Sequence, residues 1–73
     1  MTETSYVVCV ENSGYRASLE LRKIYLRLSD AKAEEDGLLR VIDESGEDYL
    51  YPSRFFAAIA LPAAVERVFA GAG

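Results

Sequence analysis

The apolar residues of this chain fall in short runs that alternate at period two, and each run ends at a turn signal. SYVVCVE (5–11) is the first of them. Its β-branched and aromatic residues suit a pleated, half-buried strand, with Tyr6, Val8 and Val10 on one face and Val7 and Cys9 on the other. Asn12-Ser13-Gly14 follows. There glycine accepts positive φ, and the polar side chains bond back to the backbone. GLLRVID (37–43) and DYLYP (48–52) are two further runs, and DESGED between them places Gly46 at the tip of a tight hairpin. Runs of this length and spacing predict an all-β domain.

The stretch SLELRKIYLRLSD (18–30) alternates in two phases, Leu19 and Leu21 first, then Ile24, Leu26 and Leu28. A slip of one residue predicts two strand segments that meet at a bulge or bend near Lys23. A helix is the rival reading, because Leu, Glu, Arg and Lys are good helix formers. Alternation on each side of the slip, and the hairpin downstream, favour strand. Asp30 suits the N-cap of a turn or two of helix in AKAEED, which Gly37 would end. Pro52 has no N–H for a ladder, so its strand stops or lies at an edge, followed by a turn or one 3₁₀ turn over Pro52-Ser53-Arg54. FFAAI (55–59) then resumes as the last strand, with Phe56 expected in the core and Phe55 displaced toward the surface. Pro62 and Gly71 bound a short helix of about residues 62–70, with Val65, Val68 and Phe69 on one face. So short a helix is marginal alone in water and needs something to dock on, its own barrel or another chain.

Length makes this a single domain, residues 1–73, with the sheet in about 5–60. A chain of this size buries only about 60% of the surface it exposes when unfolded, so a deep substrate pocket has little room. At 51% hydrophobic it has the material for a core and is too apolar for disorder. The net charge of −4 repels phosphate backbones. Cys9 is the single cysteine, so no internal disulfide forms, and a reducing cytoplasm is the expected compartment. No apolar run approaches a membrane span, and the first residues lack the basic start and apolar stretch of a signal peptide. Histidine is absent, which removes the commonest general base and metal ligand. The serines therefore have no imidazole to activate them, and Lys23 and Lys32 lack the apolar surroundings that would depress an amine pKa. The expectation is a chain that is not an enzyme and uses no cofactor, metal ion or small-molecule substrate.

The order strand, turn, bent strand, hairpin, proline turn, last strand resembles a Src-homology-3-like barrel of about five strands. The telling stretch is Leu50-Tyr51-Pro52-Ser53-Arg54-Phe55-Phe56, similar to the end of such domains. The resemblance covers about residues 5–60 and omits the helix. The whole chain also resembles small uncharacterised bacterial proteins with a DESGEDYLYP-type hairpin. In peptide-binding barrels of this family the proline and the aromatic three positions on line a groove for proline-rich ligands. Carried over, these are Pro52 and Phe55, with Glu34, Glu35 and Asp36 as a loose match to the family's acidic loop. The groove's tryptophan has no counterpart here, so the barrel implies less about function than about fold.

A protein-interaction or adaptor module, self-associating or docked on a larger protein, is the leading expectation. An apolar patch of Leu50, Tyr51, Pro52 and Phe55, with the helix face of Val65, Val68 and Phe69, is its candidate contact. The competing reading has that helix fold back and cover the patch, since a sheet apolar on both faces needs a cover. The alternative function is a nucleic-acid-binding small barrel using Arg22, Lys23, Arg27 and Arg40, with a positive stripe if Arg27 and Arg40 are cross-strand neighbours. A third is a subunit of an enzyme, inert alone. Asp43, Glu44, Glu47 and Asp48 flank a hairpin tip at a spacing unlike a calcium loop, and read as a solvated turn. Cys9, in a Val-Val-Cys-Val strand, reads as a buried, inert thiol.

Overall fold

The computed structural model describes residues 4–70, and of Thr4, Phe69 and Ala70 only the backbone. The alternating runs become five strands: β1 (Thr4–Cys9), β2 (Ile24–Leu28), β3 (Leu38–Ile42), β4 (Asp48–Pro52) and β5 (Phe56–Ile59). They form one antiparallel sheet in the order β4-β3-β2-β1-β5. The sheet does not close, so β4 and β5 are its edges. Two helices complete it, α1 (Ala31–Glu35) and α2 (Ala63–Ala70), with a 3₁₀ turn over Ser53–Phe55. The fold is a small all-β domain with a short C-terminal helix, and no helix among the described residues is long and apolar enough to cross a membrane.

Register decides which side chains meet. β1 pairs Val7 with Tyr25 of β2 and Cys9 with Phe56 of β5, and β3 pairs Leu39 with Tyr51 and Val41 with Tyr49 of β4. Val7, Cys9, Tyr25, Val41, Tyr51 and Phe56 form the core, which Leu19 and Phe55 complete from outside the ladder. A Leu or Phe taken fully out of water contributes about 1.5–3 kcal/mol, so these two loop residues matter as much as any in the strands.

Local chemistry explains the connections. The Asp30 carboxylate accepts the Ala33 N–H at 3.0 Å and caps α1. Gly37 ends that helix at φ +76°, and Gly46 takes φ +84° in the β3–β4 hairpin. Pro52 ends edge strand β4, where its missing N–H leaves no ladder bond unmade.

Three expectations are corrected. Residues 18–22 are not a strand: β2 begins at Ile24, and the phase slip is a turn with Arg22 at φ +65°. Side chains take over the missing ladder there. Asn12 donates to the Leu19 carbonyl at 2.9 Å, and the Tyr25 hydroxyl accepts the Glu20 N–H at 2.8 Å. Leu19 is wholly buried while Leu21 is 44% exposed, so their alternation came from a loop with one plug. Phe55 is not at the surface but 2% exposed. It belongs to the 3₁₀ turn, and the switch from 3₁₀ to strand breaks alternation, so two successive phenylalanines aim inward. The third correction concerns α2. Val65 and Val68 are 40% and 68% exposed, so this helix does not bury its valines on the patch before it. The side chain of Phe69 lies outside the described residues.

Candidate functional site

The β3–β4 hairpin and the loop between β1 and β2 converge at one end of the sheet. The Glu44 N–H donates to the Ser18 carbonyl at 3.1 Å and ties loop to hairpin. Glu44 also accepts the Tyr25 hydroxyl at 2.5 Å and pairs with Lys23 at 2.6 Å. Lys23 first, then Tyr25, hold its carboxyl below the usual range. Residues 15–19 make a helical turn, with Ser18 and Leu19 N–H groups both bonded to the Tyr15 carbonyl. That turn lays the Tyr15 ring edge-on against Tyr51, centroids 5.0 Å apart, and against Phe55 at 5.8 Å.

An open cleft of about 320 Å³ lies between these parts. Tyr15 and Ser18 line it from the loop, and Asp43, Ser45, Tyr49, Leu50 and Tyr51 from the hairpin. Its rim is exposed and largely apolar in body: Tyr15, Tyr49 and Leu50 are 42%, 50% and 40% exposed. Asp43 by contrast is buried. One of its oxygens accepts the Ser45 N–H at 2.8 Å and the Ser45 hydroxyl at 2.5 Å, and the other accepts the Tyr51 hydroxyl at 2.5 Å. Burial works against the charged form, yet these bonds outweigh it and hold Asp43 below the ordinary carboxylate range. Tyr51 answers in the opposite direction: burial first, then Asp43, push its hydroxyl up to about 12. The cleft thus contains a hydrogen-bonded aspartate held in its charged form, and hydroxyls.

Of the expected contact patch, Leu50 is at the cleft rim and Tyr51 is beneath it, buried rather than displayed. Pro52 is half-buried, Phe55 is interior, and Val65 and Val68 are exposed on α2. A polyproline groove built on Pro52 and Phe55 therefore lacks its second wall, because Phe55 faces the core. Tyr15, Ser18, Asp43, Ser45 and Tyr49 were not anticipated as one site. The available signal was an aromatic, Tyr15, inside a glycine turn, where no strand or helix requires it.

The basic set does not form a stripe. Arg27 pairs across the sheet with Val41 and Arg40 with Leu28, which puts the two on opposite faces. Arg27 bonds Glu34 and Ser5, Arg40 bridges Asp30 and Asp48 at 2.9 Å each, and Lys23 holds Glu44. Arg22 is exposed. Glu34 is therefore engaged, while Glu35 and Asp36 are exposed at the end of α1. At the hairpin tip Glu44 and Asp48 are likewise engaged, and no group of three or more metal-ligating side chains occurs among the described residues. Cys9 is buried, its thiol donates to the Glu11 carbonyl at 3.2 Å, and burial pushes its pKa up. Compared with known proteins, the chain matches no protein-family model, no curated protein and no solved structure.

Proposed function

We propose that this chain is a non-catalytic protein-interaction module of the Src-homology-3-like type that works in the cytoplasm and presents the loop–hairpin cleft to a polypeptide partner. The observation that carries the reading is the cleft rim. Two aromatic side chains, Tyr15 and Tyr49, stand out to solvent at one concavity although the core is only a few residues away. Amphipathic aromatics over a concave, part-polar floor are the usual composition of recognition surfaces. The barrel type is supported by the strand order and by the 3₁₀ turn before the last strand. Self-association stays within the proposal: the sheet face opposite the core carries half-buried Val8, Ile24, Leu26, Leu38 and Ile59, and α2 leaves Val65 and Val68 uncovered.

A random-peptide display selection against the ¹⁵N-labelled chain tests the reading. Binders whose amide-shift changes gather on residues 15–18 and 43–51 support it; selection without any binder, or binding confined to other surfaces, rejects it. The nucleic-acid alternative is separated by titrating labelled RNA and DNA between about 50 and 200 mM salt, where binding through phosphates weakens steeply. The pairing of Lys23, Arg27 and Arg40 with carboxylates favours the protein partner.

A further inference from the structure

The hairpin distributes its countercharges unevenly. Glu44 has Lys23 and Asp48 has Arg40, both at its surface. Asp43, the most buried of its acids, has three neutral donors and no cation among the described residues. Its hydrogen bonds keep this carboxylate ionised despite burial, so it is a negative charge that no cation among the described residues neutralises. The cleft opens onto this carboxylate.

Resting on the interaction reading above, we propose that the cleft receives one cationic side chain of the partner protein, an arginine, with Asp43 as its countercharge. The acceptor count supports a single ion. A carboxylate offers about four lone-pair sites, and three are in use, two on one oxygen and one on the other. The free site takes one N–H. Ser18 and Ser45 line the same cleft as hydroxyl-bearing residues for the remaining N–H groups of a guanidinium, the Ser45 hydroxyl already donating to Asp43 and accepting the Glu47 N–H. Tyr15 and Tyr49 supply exposed rings on which a flat, weakly hydrated guanidinium packs better than a compact ammonium. At about 320 Å³ the cleft lies at the small end of binding pockets and has room for one long side chain. The chain's net charge of −4 draws cations toward it.

The test uses three heptapeptides identical except at the centre, which is arginine, lysine or citrulline, the neutral isostere of arginine. Each is titrated into the full ¹⁵N-labelled chain. Arginine is expected to bind at least tenfold tighter than citrulline and several-fold tighter than lysine, with shift changes at residues 15–18, 43–45 and 49–51. Asp43→Asn should abolish the preference over citrulline, whereas Glu47→Gln, an equal change in net charge on the same hairpin, should leave it within twofold. Because Asp43→Asn also disturbs the hairpin, Tyr49→Ala, at a half-exposed position, provides a second variant and should weaken the arginine peptide at least fivefold. Equal affinity for arginine and citrulline, or a loss with Glu47→Gln as large as with Asp43→Asn, overturns the inference. Display-selected peptides that occupy the cleft while lacking any cation would leave the interaction reading standing and this inference refuted.

Discussion

Replacing Tyr51 by phenylalanine removes one oxygen from the interior and little else. The ring stays, with its edge contacts to Tyr15 and to Phe56 at 6.3 Å. What disappears is the 2.5 Å bond to Asp43, which leaves that oxygen buried with no donor from Tyr51. A hydrogen bond to a charged group contributes about 1.5–3 kcal/mol net, and the orphaned acceptor keeps the loss toward the upper end. At roughly 0.05–0.15 kcal/mol per residue, a chain of this length has about 4–11 kcal/mol in total. The variant should thus lose a sizeable share of its stability and melt some 6–24 °C lower, taking about 4–8 °C per kcal/mol for a domain of this size. Urea unfolding followed by circular dichroism, with an unchanged m-value, measures the loss directly. A change under about 0.5 kcal/mol would show that Asp43 does not depend on this donor and would refute the account of the site.

The same bond predicts opposite effects at the two ends of the pH scale. Asp43 titrates lower in the folded chain than in the unfolded one, so the unfolded state takes up the proton first. Its contribution is complete above the usual aspartate range near pH 4 and is lost on acidification below it. Tyr51 titrates at about 12 when folded, against about 10 for an unperturbed tyrosine. Its contribution is complete below pH ~10 and is lost between ~10 and ~12 as the unfolded chain ionises first. In Tyr51→Phe the acid limb should move to higher pH and the alkaline limb should lessen. Tyr25, raised by burial and by Glu44, keeps part of the alkaline limb in the variant.

Leu19→Ala should cost about 2–5 kcal/mol in the same urea assay, a core-sized penalty for a loop residue; a cost under 1 would deny it the role of plug. Arg22→Gly relieves a left-handed backbone at an exposed position and should be neutral or stabilising by up to about 1 kcal/mol, read from the thermal midpoint; a clear loss would mean that the turn is unstrained. The Cys9 thiol should react with a disulfide reagent only as fast as the chain unfolds, with rates that rise in urea in step with the unfolded population; fast labelling in buffer would contradict its burial.

The elements that the sequence announced are those whose signals are local. Asp30 and Gly37 mark α1 by capping chemistry, Gly46 marks a hairpin tip, and Pro52 marks the end of an edge strand; each is read from a residue and its nearest neighbours. The misread elements depended on distant partners. Leu19-Glu20-Leu21 alternates like a strand, but what places it is the contact of Leu19 with the core, together with bonds from Asn12 and Tyr25. Strand alternation back from Phe56 points Phe55 outward, but Phe55 belongs to a 3₁₀ turn that obeys another period. The pairing of Arg27 with Glu34, and of Arg40 with Asp30 and Asp48, was foreseeable as charge balance yet not as geometry, because the sheet register decides which face each guanidinium takes.

The cleft was the least legible part, and the reason is physical. Its two walls lie about thirty residues apart in the chain and meet only because the loop turn of residues 15–19 packs on the hairpin. Leu19 at one end of that turn is buried in the core; Tyr15 at the other is thereby held over Tyr51. The hydroxyl of Tyr51 in turn holds Asp43. One chain of contacts therefore runs from the centre of the domain to the carboxylate on the cleft floor, and the residues that stabilise the fold also set the shape of the site. For the proposed partner side chain, a rim fixed in this way would be preorganised and would lower the entropy lost on its entry. It also means that stability and recognition should fail together along Leu19, Tyr15, Tyr51 and Asp43, and separately at Tyr49 and Leu50, which line the cleft from an edge strand without being part of the core.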